Sequence, residues 1–401
     1  MAQEMLPGRE APIPAAAAQP RRRIESVDIL RGWVMVVMAL DHTRDFFSSA
    51  RFDPTDLSRT WPALFATRWI THFCAPVFVF LAGTGAYLSL RKGRSVASLS
   101  RLLWTRGLWL VIVEVTIVRF GWELNFDYRF TMLQVIWAIG WCMVVLAGLV
   151  WLPSRAVAGI GIAMIVVHNA FDPVKPSALD PFGFLWNILH VPAALSIDRS
   201  HAIFVAYPLV PWIGVMAAGY GFGELYGWEP GRRKRFLLRL GIGLVALFAA
   251  LRYSNVYGDA QKWASQKNGL FTFFSFINVT KYPPSLLYLL ATLGPAIAFL
   301  AYLEKPPGWL NSKIVVFGRV PFFFYVIHLP FLHLLAGLVF YAKWGPVVFT
   351  YSFANPPPPD VGFGLPAVYA FWTFAVVVLY FPSRWFAGLK ARRRDAWLSY
   401  F

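Results

Sequence analysis

Residues 40–47, LDHTRDFF, place charged groups at the end of an apolar run that begins at Val27. Asp41 precedes His42 there, and a carboxylate beside an imidazole can hold a histidine basic and oriented for proton transfer. A charge at the centre of a membrane span costs at least about 2.5 kcal/mol, which favours a functional role. We therefore predict a base at His42 oriented by Asp41. An interfacial turn is the alternative, and it accounts for Arg44 and Asp45.

Three further polar residues fall inside or at the start of apolar runs, two of them towards the same outer end as His42 and one at the middle of its span. His72 lies in the second run, Gln134 opens a later one in TMLQ, and His328 lies in the middle of a late one. We take all three as candidate site residues, because polar groups inside a span are costly and mark functional sites. A metal site built from the histidines lacks a recognisable ligand spacing, and no metal is predicted.

The composition is that of an integral membrane protein. Of the 401 residues, 58% are hydrophobic and 14% charged, far below the roughly one-quarter charged residues of soluble domains. The net charge of +17 comes largely from short basic runs beside apolar segments, where lipid headgroups rather than nucleic acid are the expected partners. The lipid bilayer is therefore the first predicted partner.

Apolar runs of about 18 or more residues predict the spans. The expected fold is an all-α, polytopic helical bundle with about ten transmembrane helices, which we place near residues 28–48, 62–90, 101–119, 130–152, 154–169, 202–225, 235–252, 285–303, 314–341 and 364–388.

Basic loops set the predicted orientation. RRR precedes the first span, RKGRSVASLSR follows the second, GRRKR follows the sixth and KARRR follows the last. By the positive-inside rule these loops are cytoplasmic, so both termini are expected in the cytoplasm and the protein in the inner (plasma) membrane. Residues 1–23 are predicted to be a disordered cytoplasmic tail, 24–390 the membrane domain and 391–401 a basic cytoplasmic C-terminus.

Four runs carry more specific motifs, namely RIESVDILRGWVMVVMALDH, FCAPVFVFLAGTGAYLS, MLQVIWAIGWCMVVLAGLVWLP and FGRVPFFFYVIHLPF. Together they resemble the membrane acyltransferase family typified by heparan-α-glucosaminide N-acetyltransferase. The resemblance implies that acetyl-CoA is used from the cytoplasmic side and that an amino sugar or glycan is acetylated on the other side. It also implies a histidine near the outer end of the first helix. The first outer loop contains no histidine, so His42 or His72 would supply that function.

With acyl-CoA as the implied co-substrate, four cytoplasmic arginines become candidates for its phosphates, because arginine offers forked, permanently charged donors. They are Arg31, Arg101, Arg106 and Arg319. His42 would act as general base or transient nucleophile. His72 or His328 would position the acceptor, and Gln134 would donate to the developing oxyanion. For each arginine the alternative is that its charge only sets the orientation of the chain in the membrane. For the whole protein the alternatives are a proton-coupled transporter, which would use the same histidines and carboxylates, and a structural protein whose outer loops bind partners.

Overall fold

The computed structural model describes residues 24–304, 308–351, 357–358, 360–393 and 395–400, so the predicted tail 1–23 lies outside the described residues. The described chain is mainly helical. Its α-helices are α1 (Glu25–Phe47), α2 (Pro62–Ile70), α3 (Cys74–Arg91), α4 (Val96–Val113), α5 (Arg119–Glu123), α6 (Val135–Leu149), α7 (Ser154–Val167), α8 (Gly183–Leu189), α9 (Leu209–Phe222), α10 (Pro230–Ser254), α11 (Gly269–Ile277), α12 (Leu286–Leu303), α13 (Trp309–Arg319), α14 (Pro321–Trp344) and α15 (Leu365–Arg392).

The chain is a multi-span helical membrane protein. Within the described ranges, six helical segments are long and apolar enough to cross a bilayer, and each overlaps one predicted span: Pro62–Arg91, Ser154–Phe171, Pro230–Ser254, Leu286–Leu303, Pro321–Trp344 and Leu365–Arg392. The other four predicted spans also contain helices. Two of these, α6 and α9, have only 15 and 14 residues, fewer than the about 20 that a full crossing requires. The total of ten spans stays a prediction.

A small sheet replaces the first residues of two predicted spans. β1 (Phe130–Leu133) and β3 (Ala202–Val205) are parallel, and β2 (Ala193–Ser196) pairs with β3 in the antiparallel sense. These short apolar segments pair their backbone N–H and C=O groups with each other instead of along a helix. The predicted starts at 130 and 202 are therefore wrong. Because β1 leads directly to Gln134 and α6, the sheet fixes where that helix begins.

The predicted span 314–341 is two helices, not one. α13 ends at Arg319 and α14 begins at Pro321, with Val320 between them at φ −133° and ψ 49°. Proline has no backbone N–H and disfavours the helical conformation of the residue before it, so the helix cannot continue through this point. α14 then runs through Pro330 and carries His328 about two turns from its start.

α1 lies at the centre of the bundle and packs against α3, α13, α14 and α15. Its contact with α13 is close enough to require glycine on both helices. A methyl group at Gly32 would overlap the Ile314 carbonyl, and one at Gly318 would overlap the Asp28 carbonyl. Small residues of this kind let membrane helices approach at backbone distance.

This packing predicts that Gly318→Ala destabilises the protein by about 1–3 kcal/mol, because the added methyl group has no space beside α1. Gly337→Ala on α14 is the matched control, since nothing lies within 4 Å of a methyl group at that position. That control should be neutral or slightly stabilising. Thermal denaturation of the purified protein in detergent measures both, and equal melting temperatures would contradict the α1–α13 contact.

Candidate active site

The centre of the site is a direct bond between two histidines, His42 near the end of α1 and His328 on α14. Nδ1 of His42 lies 2.7 Å from Nε2 of His328, across 286 residues of sequence. The two ring planes are 17° from parallel and their centroids are 4.9 Å apart, so the rings lie side by side along the hydrogen bond. The structure thus brings together two of the residues that the sequence analysis selected separately.

Hydrogen bonding assigns the protons of this pair. Nδ1 of His328 lies 2.7 Å from the carbonyl oxygen of Tyr325 and 3.1 Å from that of Phe324. A carbonyl oxygen only accepts, so this nitrogen carries the hydrogen, and Nε2 of a neutral His328 is then an acceptor. His42 must therefore donate from its Nδ1. Its Nε2 therefore keeps a lone pair, which a base or a nucleophile needs.

Two aromatic side chains enclose the His42 ring. Trp122 of α5 meets it edge-on at 5.0 Å between centroids, and Tyr325 of α14 meets it edge-on at 6.2 Å. Neither residue was selected from the sequence. For Tyr325 a signal existed, because it precedes His328 by three residues and therefore shares its helical face.

Tyr325 also lines a cavity of about 350 Å³ between α1, α3, α4, α6, α13, α14 and α15. Along α1 the lining runs from Arg31 to Met35, and along α14 from Pro321 to Tyr325. Three of the predicted arginines belong to the lining, namely Arg31, Arg106 and Arg319. Lys390, which was not predicted from the sequence, also belongs to it. Arg101 is exposed and is not part of it.

The remaining walls of the cavity are mostly apolar, including Leu81, Leu103, Leu110 and Ile139. Within this setting Nε of Arg106 and Nε of Arg319 are buried and have no hydrogen-bond partner among the described residues. Buried donors in proteins are nearly always paired. Guanidinium groups beside an apolar cavity could bind an anionic group that has an apolar extension.

Asp41 contacts arginines rather than His42. Its Oδ2 accepts from Nη1 of Arg68 at 2.6 Å, and its Oδ1 lies 3.0 Å from Nη2 of Arg44. Successive residues of a helix point about 100° apart, so the two neighbours face different partners. In the structure His328, not Asp41, makes the contact that orients the His42 ring. Asp41 belongs to a mostly buried ion cluster with Arg44 and Arg68.

His72 lies apart from the histidine pair. It is in the 3₁₀ turn Thr71–Phe73 between α2 and α3, where its ring meets that of Tyr288 at 5.7 Å. The Tyr288 hydroxyl donates to the His72 carbonyl at 2.8 Å. In the part of the chain that the structure describes, His72 and His42 share no hydrogen bond or ring contact, so the three histidines do not converge on one point.

Gln134 immediately precedes α6, and a buried carboxylate holds it there. Its backbone N–H donates to Oε1 of Glu114 at 3.2 Å, and the N–H of Trp137 donates to Oε2 at 3.0 Å. Glu114 thus satisfies N–H groups that a helix start leaves unpaired. Gln134, Glu114 and Trp122 line a narrow recess of about 10 Å³, room for about one water molecule. Trp122 separates this recess from His42.

The ion cluster predicts that Asp41→Ala destabilises the protein by about 3–5 kcal/mol, because Arg68 and Arg44 lose their shared, mostly buried carboxylate. Asp45→Ala is the matched control. Its side chain is 40% exposed against 13% for Asp41, so about 1 kcal/mol or less is expected. Thermal denaturation compares the two. An Asp41→Ala protein of unchanged stability but without activity would instead assign Asp41 to the chemistry.

Comparison with known families agrees with this membrane architecture. Residues 23–250, more than half of the chain, match the family model described as heparan-alpha-glucosaminide N-acetyltransferase, catalytic. Among curated proteins none matches the chain. His42 and Arg106 lie within the matched range, whereas His328, Tyr325 and Arg319 lie beyond its end. The chain belongs to the heparan-α-glucosaminide N-acetyltransferase family.

Proposed function

We propose that the protein is a transmembrane acyltransferase that takes an acetyl or other acyl group from cytoplasmic acyl-CoA and transfers it to an acceptor on the opposite face. An amino sugar or other glycan is the proposed acceptor. The observation that carries the proposal is the cavity whose lining combines three arginines with Tyr325, the residue in edge contact with the His42–His328 pair. The lining thus extends from three arginines to a residue that contacts the histidine pair.

The proposed orientation rests on the positive-inside rule. Arg31, Arg319 and Lys390 then lie at the cytoplasmic end of the cavity, and both chain termini lie in the cytoplasm. The protein would reside in the plasma (inner) membrane with His42 towards the outer side. A reporter fused after Phe401 that is active only outside the cytoplasm would contradict this orientation.

The donor would bind with its phosphates near Arg31, Arg106 and Arg319. Phosphate oxygens accept two parallel bonds from a guanidinium, which favours arginine over lysine at such a site. The apolar walls between these arginines and Tyr325 suit the uncharged arm of CoA that carries the thioester. Arg101 faces away from this cavity and would only mark topology.

Nε2 of His42 would take the proton of the attacking acceptor amine or hydroxyl as that group bonds to the thioester carbonyl carbon. The carbon–sulfur bond then breaks, and the sulfur takes the electron pair and the proton from His42. In the alternative route the same nitrogen attacks first, forming an acyl-histidine that the acceptor later cleaves. In either route His42 becomes positively charged, and its Nδ1–H bond to His328 strengthens because a charged donor bonds more strongly.

His42→Ala tests this function. Purified protein in detergent, without an ion gradient, receives labelled acetyl-CoA with glucosamine as probe acceptor. We expect transfer to fall by about 10²–10⁴ while acetyl-CoA binding persists, because only the base is removed. His333→Ala is the control, since His333 lies on α14 against Phe46 and outside the pair. Full activity of the His42→Ala protein contradicts the assignment. A wild-type protein that leaves acetyl-CoA intact and transports a solute when a proton gradient is applied contradicts the proposed acyltransferase function.

The donor site predicts a difference between two arginines five residues apart on α4. Arg106→Ala should raise the dissociation constant of acetyl-CoA about tenfold, through loss of a charge-assisted bond worth about 1.5 kcal/mol. Arg101→Ala should leave it unchanged, because that side chain is exposed and outside the cavity. Isothermal titration in detergent measures both constants. Equal affinities in the two variants would mean that the phosphates do not bind in this cavity.

A further inference from the structure

We propose that the hydroxyl of Tyr325 donates the hydrogen bond that stabilises the thioester oxyanion during acyl transfer. The inference rests on the acyltransferase function proposed above and adds a residue to its chemistry. Tyr325 takes the role of oxyanion donor that was predicted from the sequence for Gln134.

The first observation is a buried tyrosine side chain that lines the cavity. Tyr325 is only 3% exposed, and among the described residues its hydroxyl has no hydrogen-bond partner. Buried tyrosine hydroxyls normally find one. Tyr288, equally buried, bonds to the carbonyl of His72. Because Tyr325 belongs to the cavity lining, the partner of its hydroxyl is expected to be a molecule that enters the cavity.

The second observation is that Tyr325 is fixed beside the base. Its ring meets His42 at 6.2 Å and His328 at 5.4 Å, both edge-on. Its backbone carbonyl also accepts the bond from Nδ1 of His328 at 2.7 Å. One residue therefore orients the histidine pair through its carbonyl and presents its hydroxyl next to that pair. A donor held in place before the reaction stabilises a developing charge without reorganisation.

Gln134 is placed less favourably for this task. The cavity lining passes from α4 to α6 through Val135 and Ile136 and does not include Gln134. Gln134 lines the recess on the other side of Trp122 instead. A thioester carbonyl held in the cavity would therefore meet Tyr325 rather than Gln134.

In the proposed step, the nucleophile bonds to the thioester carbonyl carbon and the carbonyl π electrons move to oxygen. The Tyr325 O–H donates to that oxyanion and keeps its proton throughout. When the intermediate collapses, the electron pair reforms the carbonyl, the carbon–sulfur bond breaks and the sulfur leaves as the CoA thiol with the proton delivered by His42. The bond to Tyr325 is strongest while the oxygen is charged, so its effect falls on turnover rather than on donor binding.

Tyr325→Phe is the test, because it keeps the ring contacts with His42 and His328 and removes a hydroxyl that bonds to no described residue. With acetyl-CoA and glucosamine we expect kcat to fall about 10²–10³-fold, with the melting temperature and the dissociation constant of acetyl-CoA unchanged. Rates are normalised to the concentration of acetyl-CoA binding sites, so partial unfolding cannot imitate the effect. Tyr220→Phe, a buried tyrosine on α9 against Tyr87, should keep full kcat.

Wild-type kcat in Tyr325→Phe would overturn the inference and leave the proposed function intact. So would a loss confined to acetyl-CoA affinity or thermal stability, or a larger loss of kcat in Gln134→Ala than in Tyr325→Phe. A wild-type protein that does not transfer the acetyl group would overturn the proposed function, and this inference with it.

Discussion

The site depends on one hydrogen bond, from Nδ1 of His42 to Nε2 of His328. It exists only because α1 and α14 lie side by side at this depth. The close contact between Gly32 and α13 fixes α13 against α1, and the break at Val320 starts α14 immediately afterwards. If the two helices separated, both histidines would be left buried without their mutual bond, which is costly inside a membrane.

The polar groups in the bundle divide into those that are satisfied and those that are not. Asp41 is paired with two arginines, and Glu114 accepts the first N–H groups of α6. These contacts give partners to charges that a membrane interior cannot hydrate. The Arg106 and Arg319 Nε atoms are buried without a hydrogen-bond partner among the described residues, and both side chains line one cavity with Tyr325. Unlike unpaired atoms elsewhere in the bundle, such as Nδ1 of His72, these groups lie where a ligand could contact them.

Hydropathy predicted the membrane class and the general position of the spans, because a helix that crosses lipid must be apolar along its length. It could not separate β1 or β3 from the helices that follow, since short apolar strands have the same composition. His42 and His328 were selected individually because charge-bearing groups are rare in spans. Their bond was not predictable, since it joins residues 286 apart through tertiary packing. Asp41 was assigned to His42 from adjacency in sequence, although neighbours on a helix point in different directions. Tyr325 was missed although it shares the helical face of His328, because the sequence does not show that this face meets a cavity.

The most direct test of this account is the protonation of the His42 ring. With only seven histidines in the chain, ¹⁵N spectra of histidine-labelled protein in lipid bilayers can resolve each ring, and the His42 signals are those lost in His42→Gln. The account predicts that at neutral pH Nδ1 of His42 carries the hydrogen and is bonded to Nε2 of His328, while Nε2 of His42 is unprotonated. A His42 ring protonated at Nε2, with Nδ1 bare, would contradict it, because the basic lone pair would then face His328 and Nε2 could not accept a proton.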